Sequence, residues 1–177
     1  MTIALQPIYT QTVGSGGAAS VIFNNIPQTF TDLKVVFSLR STATGSLTGG
    51  MIDSSYVAFN GSNTNTSWTF LFGFNGSATS SRGSSPTIMY LGPINGSGST
   101  TSTFSNGEIY TPNYVGSNFK SSTVDNVAEN NSSTGYFVSS LALLNRNTTA
   151  ITSLGIYAGE GNWAQHSTVT IYGITKG

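Results

Sequence analysis

The strictest constraint on this chain is a two-residue alternation of apolar and polar side chains, repeated along its length with almost no competing helical period. Leu33, Val35, Phe37 and Leu39 fall on one face of a segment, and Lys34, Ser38 and Arg40 on the other. Successive side chains of a strand point to opposite sides, so this pattern marks an antiparallel strand with one buried face. A second segment alternates Trp68, Phe70, Phe72 and Phe74 with Thr69, Leu71 and Gly73, and the register of Trp68 with the phenylalanines reads as core packing. Over 136–144, Tyr136, Val138, Ser140, Ala142 and Leu144 alternate with Phe137, Ser139, Leu141 and Leu143. Both sets are fairly apolar, which predicts a central strand or one covered on both sides.

Further strands read at 3–13, 18–23, 55–60, 86–91, 106–111, 118–125, 151–158 and 167–174, for ten or eleven in all. Asn60-Gly61, Asn75-Gly76, Asn95-Gly96 and Asn106-Gly107 punctuate them, and Asn-Gly suits turns with positive φ. Residues 41–54 and 76–86 are small and polar and read as surface loops. Residues 96–103 (GSGSTTST) could act as a flexible linker but are too short and too central to divide domains. The expectation is an all-β fold: one antiparallel β-sandwich, jelly-roll-like, of about ten strands, in a single domain over 1–177. Pro7 cannot donate a ladder hydrogen bond, so residues 1–12 read as an edge strand or interface arm, with Ile3, Leu5, Pro7, Ile8 and Tyr9 as candidate interface residues.

Composition limits the partners. Six basic residues balance six acidic ones, and charged residues are only 7% of the chain, against about 25% in an ordinary soluble domain. The basic residues form no cluster, which argues against nucleic acid and against an anionic membrane. Ser, Thr, Asn and Gly make up about half of the chain, yet aromatic residues are 11%, so a core can form beneath a neutral exterior rich in hydroxyls and amides. No stretch approaches the ~20 apolar residues of a membrane helix, and MTIALQPIYTQTV lacks the basic and apolar regions of a secretory leader.

Reactive constellations are not evident. The chain has no cysteine and one histidine, His166, with no Gly-x-Ser-x-Gly element for a serine nucleophile. Folding could bring together any two of Asp32, Asp53, Glu108, Asp125, Glu129 and Glu160, but each has a plain strand, turn or loop reading. Asp125, Asn126 and Glu129 are the nearest approach to a Ca²⁺ set, without the spacing of a calcium loop. Gly14-Ser15-Gly16-Gly17 lacks the lysine and spacing of a phosphate loop and reads as a turn, as do the several Asn-x-Ser/Thr triplets. No catalytic residue, metal site or cofactor is therefore expected. Trp163, in the loop segment Gly161-Asn162-Trp163-Ala164, with Tyr110 and Tyr114, could stack on sugar rings if exposed.

Three segments carry a family likeness: 25–41, from Asn25-Ile26-Pro27 to Leu39-Arg40-Ser41; 107–114 with Lys120-Ser121 and Glu129-Asn130-Asn131; and Ala150-Ile151-Thr152-Ser153-Leu154 with Gly161-Asn162-Trp163 and 167–174. Their layout resembles small virion structural proteins of tailed bacteriophages, including cyanophages. The resemblance implies a non-enzymatic sandwich located on the virion. It implies a capsid decoration or cement subunit, a homotrimer in contact with the major capsid protein or other virion proteins. The alternative is a tail or head fibre module that recognises host glycans. These motifs are strand and turn signatures, so no functional residue is carried over.

Overall fold

The computed structural model describes residues 4–44, 51–62, 64–84 and 89–175. Among them are twelve strands and no helix: β1 (Ala4–Thr12), β2 (Ser20–Phe23), β3 (Asp32–Leu39), β4 (Ile52–Phe59), β5 (Thr66–Phe74), β6 (Ser77–Ser84), β7 (Met89–Asn95), β8 (Ser105–Thr111), β9 (Lys120–Ala128), β10 (Phe137–Asn145), β11 (Leu154–Ala158) and β12 (Thr168–Thr175). They form a β-sandwich of two unequal antiparallel sheets. The larger has the order β1-β12-β3-β8-β9-β10-β5-β6 and the smaller β2-β11-β4-β7.

The alternation in the sequence fixes which face is buried. Leu33, Val35, Phe37 and Leu39 of β3 point inward and are at most 2% exposed. Ile109, Val124, Leu141, Leu143, Val169 and Ile171 continue that inner face, opposite Val21, Phe23, Val57, Phe59, Leu91, Leu154 and Ile156 of the small sheet. Trp68, Phe70, Phe72 and Phe74 line the inner side of β5, where they are half-buried. Trp68 stacks on Phe70 with ring centroids 5.4 Å apart, and both rings meet Tyr90 of β7, the last strand of the small sheet. The aromatic row closes the side of the sandwich that β7 only partly covers.

Two of the four Asn-Gly pairs make turns with positive φ: Asn60 (54°) with Gly61 (66°), and Asn75 (48°) with Gly76 (80°). The other two are absorbed by strands. Asn95 ends β7, its backbone NH donating to Ser105 Oγ at 2.8 Å. Gly107 lies within β8 because the Phe37 ring fills the space a side chain would need, 2.5 Å from an ideal Cβ.

The segment 76–86, expected as a loop, instead contains β6. The Asn75-Gly76 hairpin folds it back on β5 from the Phe74–Ser77 pair onward, and Gly83 leaves room for the Trp68 indole, 2.7 Å from where its Cβ would sit. The expected loop 41–54 already enters β4 at Ile52, while 45–50 lie outside the described residues. Residues 96–103 are pinned. The Arg40 guanidinium donates to the carbonyls of Ser97, Ser99, Thr100 and Thr103 at 2.8–3.2 Å. A second cation works in the same way. Lys120 is 1% exposed, and its Nζ donates to the carbonyls of Asn147, Thr148 and Thr149 at 3.5, 3.0 and 2.7 Å. Burial pushes the Lys120 ammonium below the usual lysine range. Asn60 holds the neighbouring stretch, its Oδ1 accepting from the backbone NH groups of Thr152 and Ser153 and its Nδ2 donating to Ala150 O.

Replacing Lys120 by Met keeps the aliphatic stem and strips three carbonyls of their donor. Chemical denaturation should show a loss of about 2–3 kcal/mol, with the strand content of the native state unchanged.

Candidate interaction surface

The four-stranded sheet covers only the inner face of its partner, so among the described residues the outer face of the eight-stranded sheet lies open. Strand register defines that face as rows. One row runs Thr10, Thr170, Val36, Glu108, Asp125, Ser140, Leu71, Ser80 across all eight strands. The next toward the C-terminal end of β9 carries Ser38, Asn106, Val127, Val138, Gly73 and Ala78. On the opposite side lie Tyr172, Lys34, Tyr110, Thr123, Ala142, Thr69 and Arg82. Most of these side chains are short, so the surface is low in relief. Within it Leu71 is 61% exposed, Val138 58% and Val127 46%, and they border a shallow depression of about 310 Å³ with Gly73, Ala78 and Ser140. β10 is therefore central, as its doubly apolar sequence predicts, but it is not covered on both sides. Its outward valine and alanine remain in solvent.

A second shallow trough, about 440 Å³, crosses Gly107 between Val36, Glu108, Asp125, Val127 and Thr170. Here two carboxylates come together, because Glu108 and Asp125 are direct cross-strand partners. Like charges in that position repel. Lys34 compensates Glu108 through an ion pair of 2.7 Å. The other carboxylates stand apart. Asp32 accepts from Tyr110 OH at 2.5 Å and from Asn113 NH at 3.0 Å. Asp53, fully buried, accepts from Ser41 Oγ at 2.6 Å and from the Glu160 NH at 3.2 Å. Glu129 Oε1 closes a local turn on the Asn131 NH. The Ca²⁺ trio is not brought together: alternation along β9 exposes Asp125 and buries Asn126, whose Nδ2 donates to Pro93 O at 2.6 Å. His166 is exposed at φ 73°, and the adjacent Ser167 hydroxyl is engaged with the Arg40 backbone.

The interface candidates of the N-terminal segment lie on β1, the terminal strand of the large sheet. Leu5 is 54% exposed, Pro7 is exposed beside a register shift between Pro7 and Tyr9, and Ile8 turns onto the core. Tyr9 stacks on Phe23 at 5.9 Å and donates to Asn25 O. Ile3 is outside the described residues.

The glycan-stacking candidates do not form a platform. Trp163 is fully buried. Its backbone bridges Ala18 and Ser41, and its Nε1 donates to Ile156 O at 3.2 Å. Tyr114 is fully buried and donates to Pro27 O. Only Tyr110 is partly open, and its hydroxyl is held by Asp32. Trp163 does lie in the loop between β11 and β12, but it is not exposed, because Gly161 lets the chain pass close to Ser41 and Ala43, folding the indole inward. Tyr110 and Trp163 also sit toward opposite ends of β3, about 20 Å apart at strand rise. The sequence reading missed the outward set Leu71, Val127 and Val138. Its one signal was the second apolar face of β10.

Trp163→Ala should cost about 3–5 kcal/mol in chemical denaturation, as a large buried aromatic does. Alkaline stability offers a second check. Burial against Trp68 and Phe70 pushes the Tyr90 hydroxyl up to about 12, an effect opposed by its hydrogen bond to Ser54. The native state holds this proton more tightly than the unfolded chain, so the contribution is complete below pH 10 and lost between pH 10 and about 12. Tyr90→Phe should flatten that part of the pH–stability curve. Comparison of the chain with protein-family models, with curated proteins and with solved structures finds no match.

Proposed function

We propose that this chain is a virion structural protein of a tailed bacteriophage, a capsid decoration or cement subunit whose work is done by surfaces meeting neighbouring subunits. The observation that carries this reading is the uncovered outer face of the eight-stranded sheet, where Leu71, Val127 and Val138 stand in a low-relief field of serine, threonine and glycine. A flat, nearly neutral face of short side chains loses little side-chain entropy on contact, unlike one rich in lysine and glutamate. The open β1 edge supplies a second surface, with unpaired backbone groups available to a neighbouring strand. The resemblance of the three segments to phage virion proteins supplies the setting.

The mechanism follows from linkage. A subunit that binds the assembled shell, and not free coat protein, stabilises the shell by its binding free energy. Loop anchors, the half-buried Arg40 and the buried Lys120, hold the connections between strands in shape before binding. The test is to heat particles with and without this protein and follow DNA release, while counting copies per particle by quantitative mass spectrometry. Particles lacking the protein should release DNA at a lower temperature, and the intact particle should carry hundreds of copies. Equal release temperatures would remove the cement role, and a dozen copies or fewer would move the protein to the tail.

A further inference from the structure

We propose that the open face of the eight-stranded sheet takes a second copy of this chain, the two copies lying face to face about a two-fold axis beside Leu71 and Ala142, with Asp125 of each meeting Arg82 of the other. The proposal names the occupant of the face described above and rests on the reading of the chain as an assembly subunit.

Two unbalanced charges motivate it. Asp125 stands directly opposite Glu108, and Lys34 neutralises only Glu108. Among the described residues neither Asp125 nor Arg82 has an ion-pair partner. Both are exposed on the same face: Arg82 opposes Thr69 on β6, while Gly83 beside it turns to the inner side beneath Trp68. A cation delivered at Asp125 relieves the repulsion from Glu108, and an anion delivered at Arg82 pairs an otherwise solvated guanidinium.

Register supplies the symmetry. β9 and β6 are three strand spacings apart, about 14 Å, and Arg82 lies two residues farther along its strand than the row of Asp125, about 7 Å. The midpoint of the line joining them falls among Ser140, Leu71, Ala142 and Thr69. A two-fold axis parallel to the sheet, lying above that midpoint and halfway between the two copies, perpendicular to the line, sets Asp125 of each copy over Arg82 of the other. One operation therefore forms both ion pairs, as an isologous contact requires. It also sets Leu71, the most exposed large apolar residue of the face, against its own copy. Val138 falls on the β6 side of the other copy, near Ser80 and Ala78. Side chains around the axis are no larger than leucine, so two sheets can approach to about 10 Å, the spacing of stacked sheets. The resemblance to virion proteins implies trimers, but the charges of this face pair in twos.

The full chain provides the test. Sedimentation equilibrium at about 100 µM, well above a micromolar Kd, should give twice the monomer mass of 18.4 kDa. Asp125→Arg or Arg82→Asp alone should weaken association at least tenfold, and the two together should restore it to within threefold. Leu71→Cys, the sole thiol in a chain without cysteine, should give a covalent dimer with a short bismaleimide. A wild-type mass of one or three chains, a double swap that fails to rescue, or no cross-linked dimer would overturn the contact. A monomeric chain that still decorates particles would remove the two-fold contact and leave the assembly reading intact; a dimer that never decorates particles would do the reverse.

Discussion

Eight strands share an inner face that only four strands cover, and that inequality organises the rest of the molecule. The covered part is a conventional apolar interior in which each fully buried valine, leucine or phenylalanine contributes about 1.5–3 kcal/mol. Where the small sheet ends at β7, the chain does not stop the large sheet but roofs its margin with its own aromatics. Trp68, Phe70, Phe72 and Phe74 lie along β5, lean on Tyr90 and leave β6 as a thin fringe of serine and threonine. The opposite side of the same sheet receives no cover from the described residues. The fold thus creates its candidate contact surface as a by-product of how it closes its core.

How much of this could be read from residues alone depended on contrast between faces. β3 was legible because leucine, valine and phenylalanine alternate with lysine and serine. β9 was partly silent: its inward set is Lys120, Ser122, Val124, Asn126 and Ala128 and its outward set Ser121, Thr123, Asp125 and Val127. With both faces small or polar, amphipathicity says nothing about which is buried, and the strand ends later than expected. β6 was misread as a loop for a related reason. Its residues carry no apolar period, and only pairing with β5 through the Asn75-Gly76 turn makes it a strand. The burial of Trp163 was not legible because tertiary contacts with Ala18 and Ser41, remote in sequence, decide it.

The contact surface was harder still. A sequence pattern shows that Val138 and Leu141 lie on opposite faces of β10, but not that a second layer covers one face and omits the other. The Glu108–Asp125 opposition likewise depends on the register of β8 against β9, which no local pattern encodes. Such a face is assembled from residues on several strands, each unremarkable within its own segment.

The anchoring of the loops has a consequence for the conditions the molecule can endure. Arg40 and Lys120 bond to neutral peptide carbonyls, not to carboxylates. Acidification has no anion to discharge at either place, and brine has little to screen in a desolvated contact between an ammonium and amide dipoles. The stretch held by the buried Lys120 is therefore built to be indifferent to changes in sourness and salinity that would loosen an ordinary ion-paired loop.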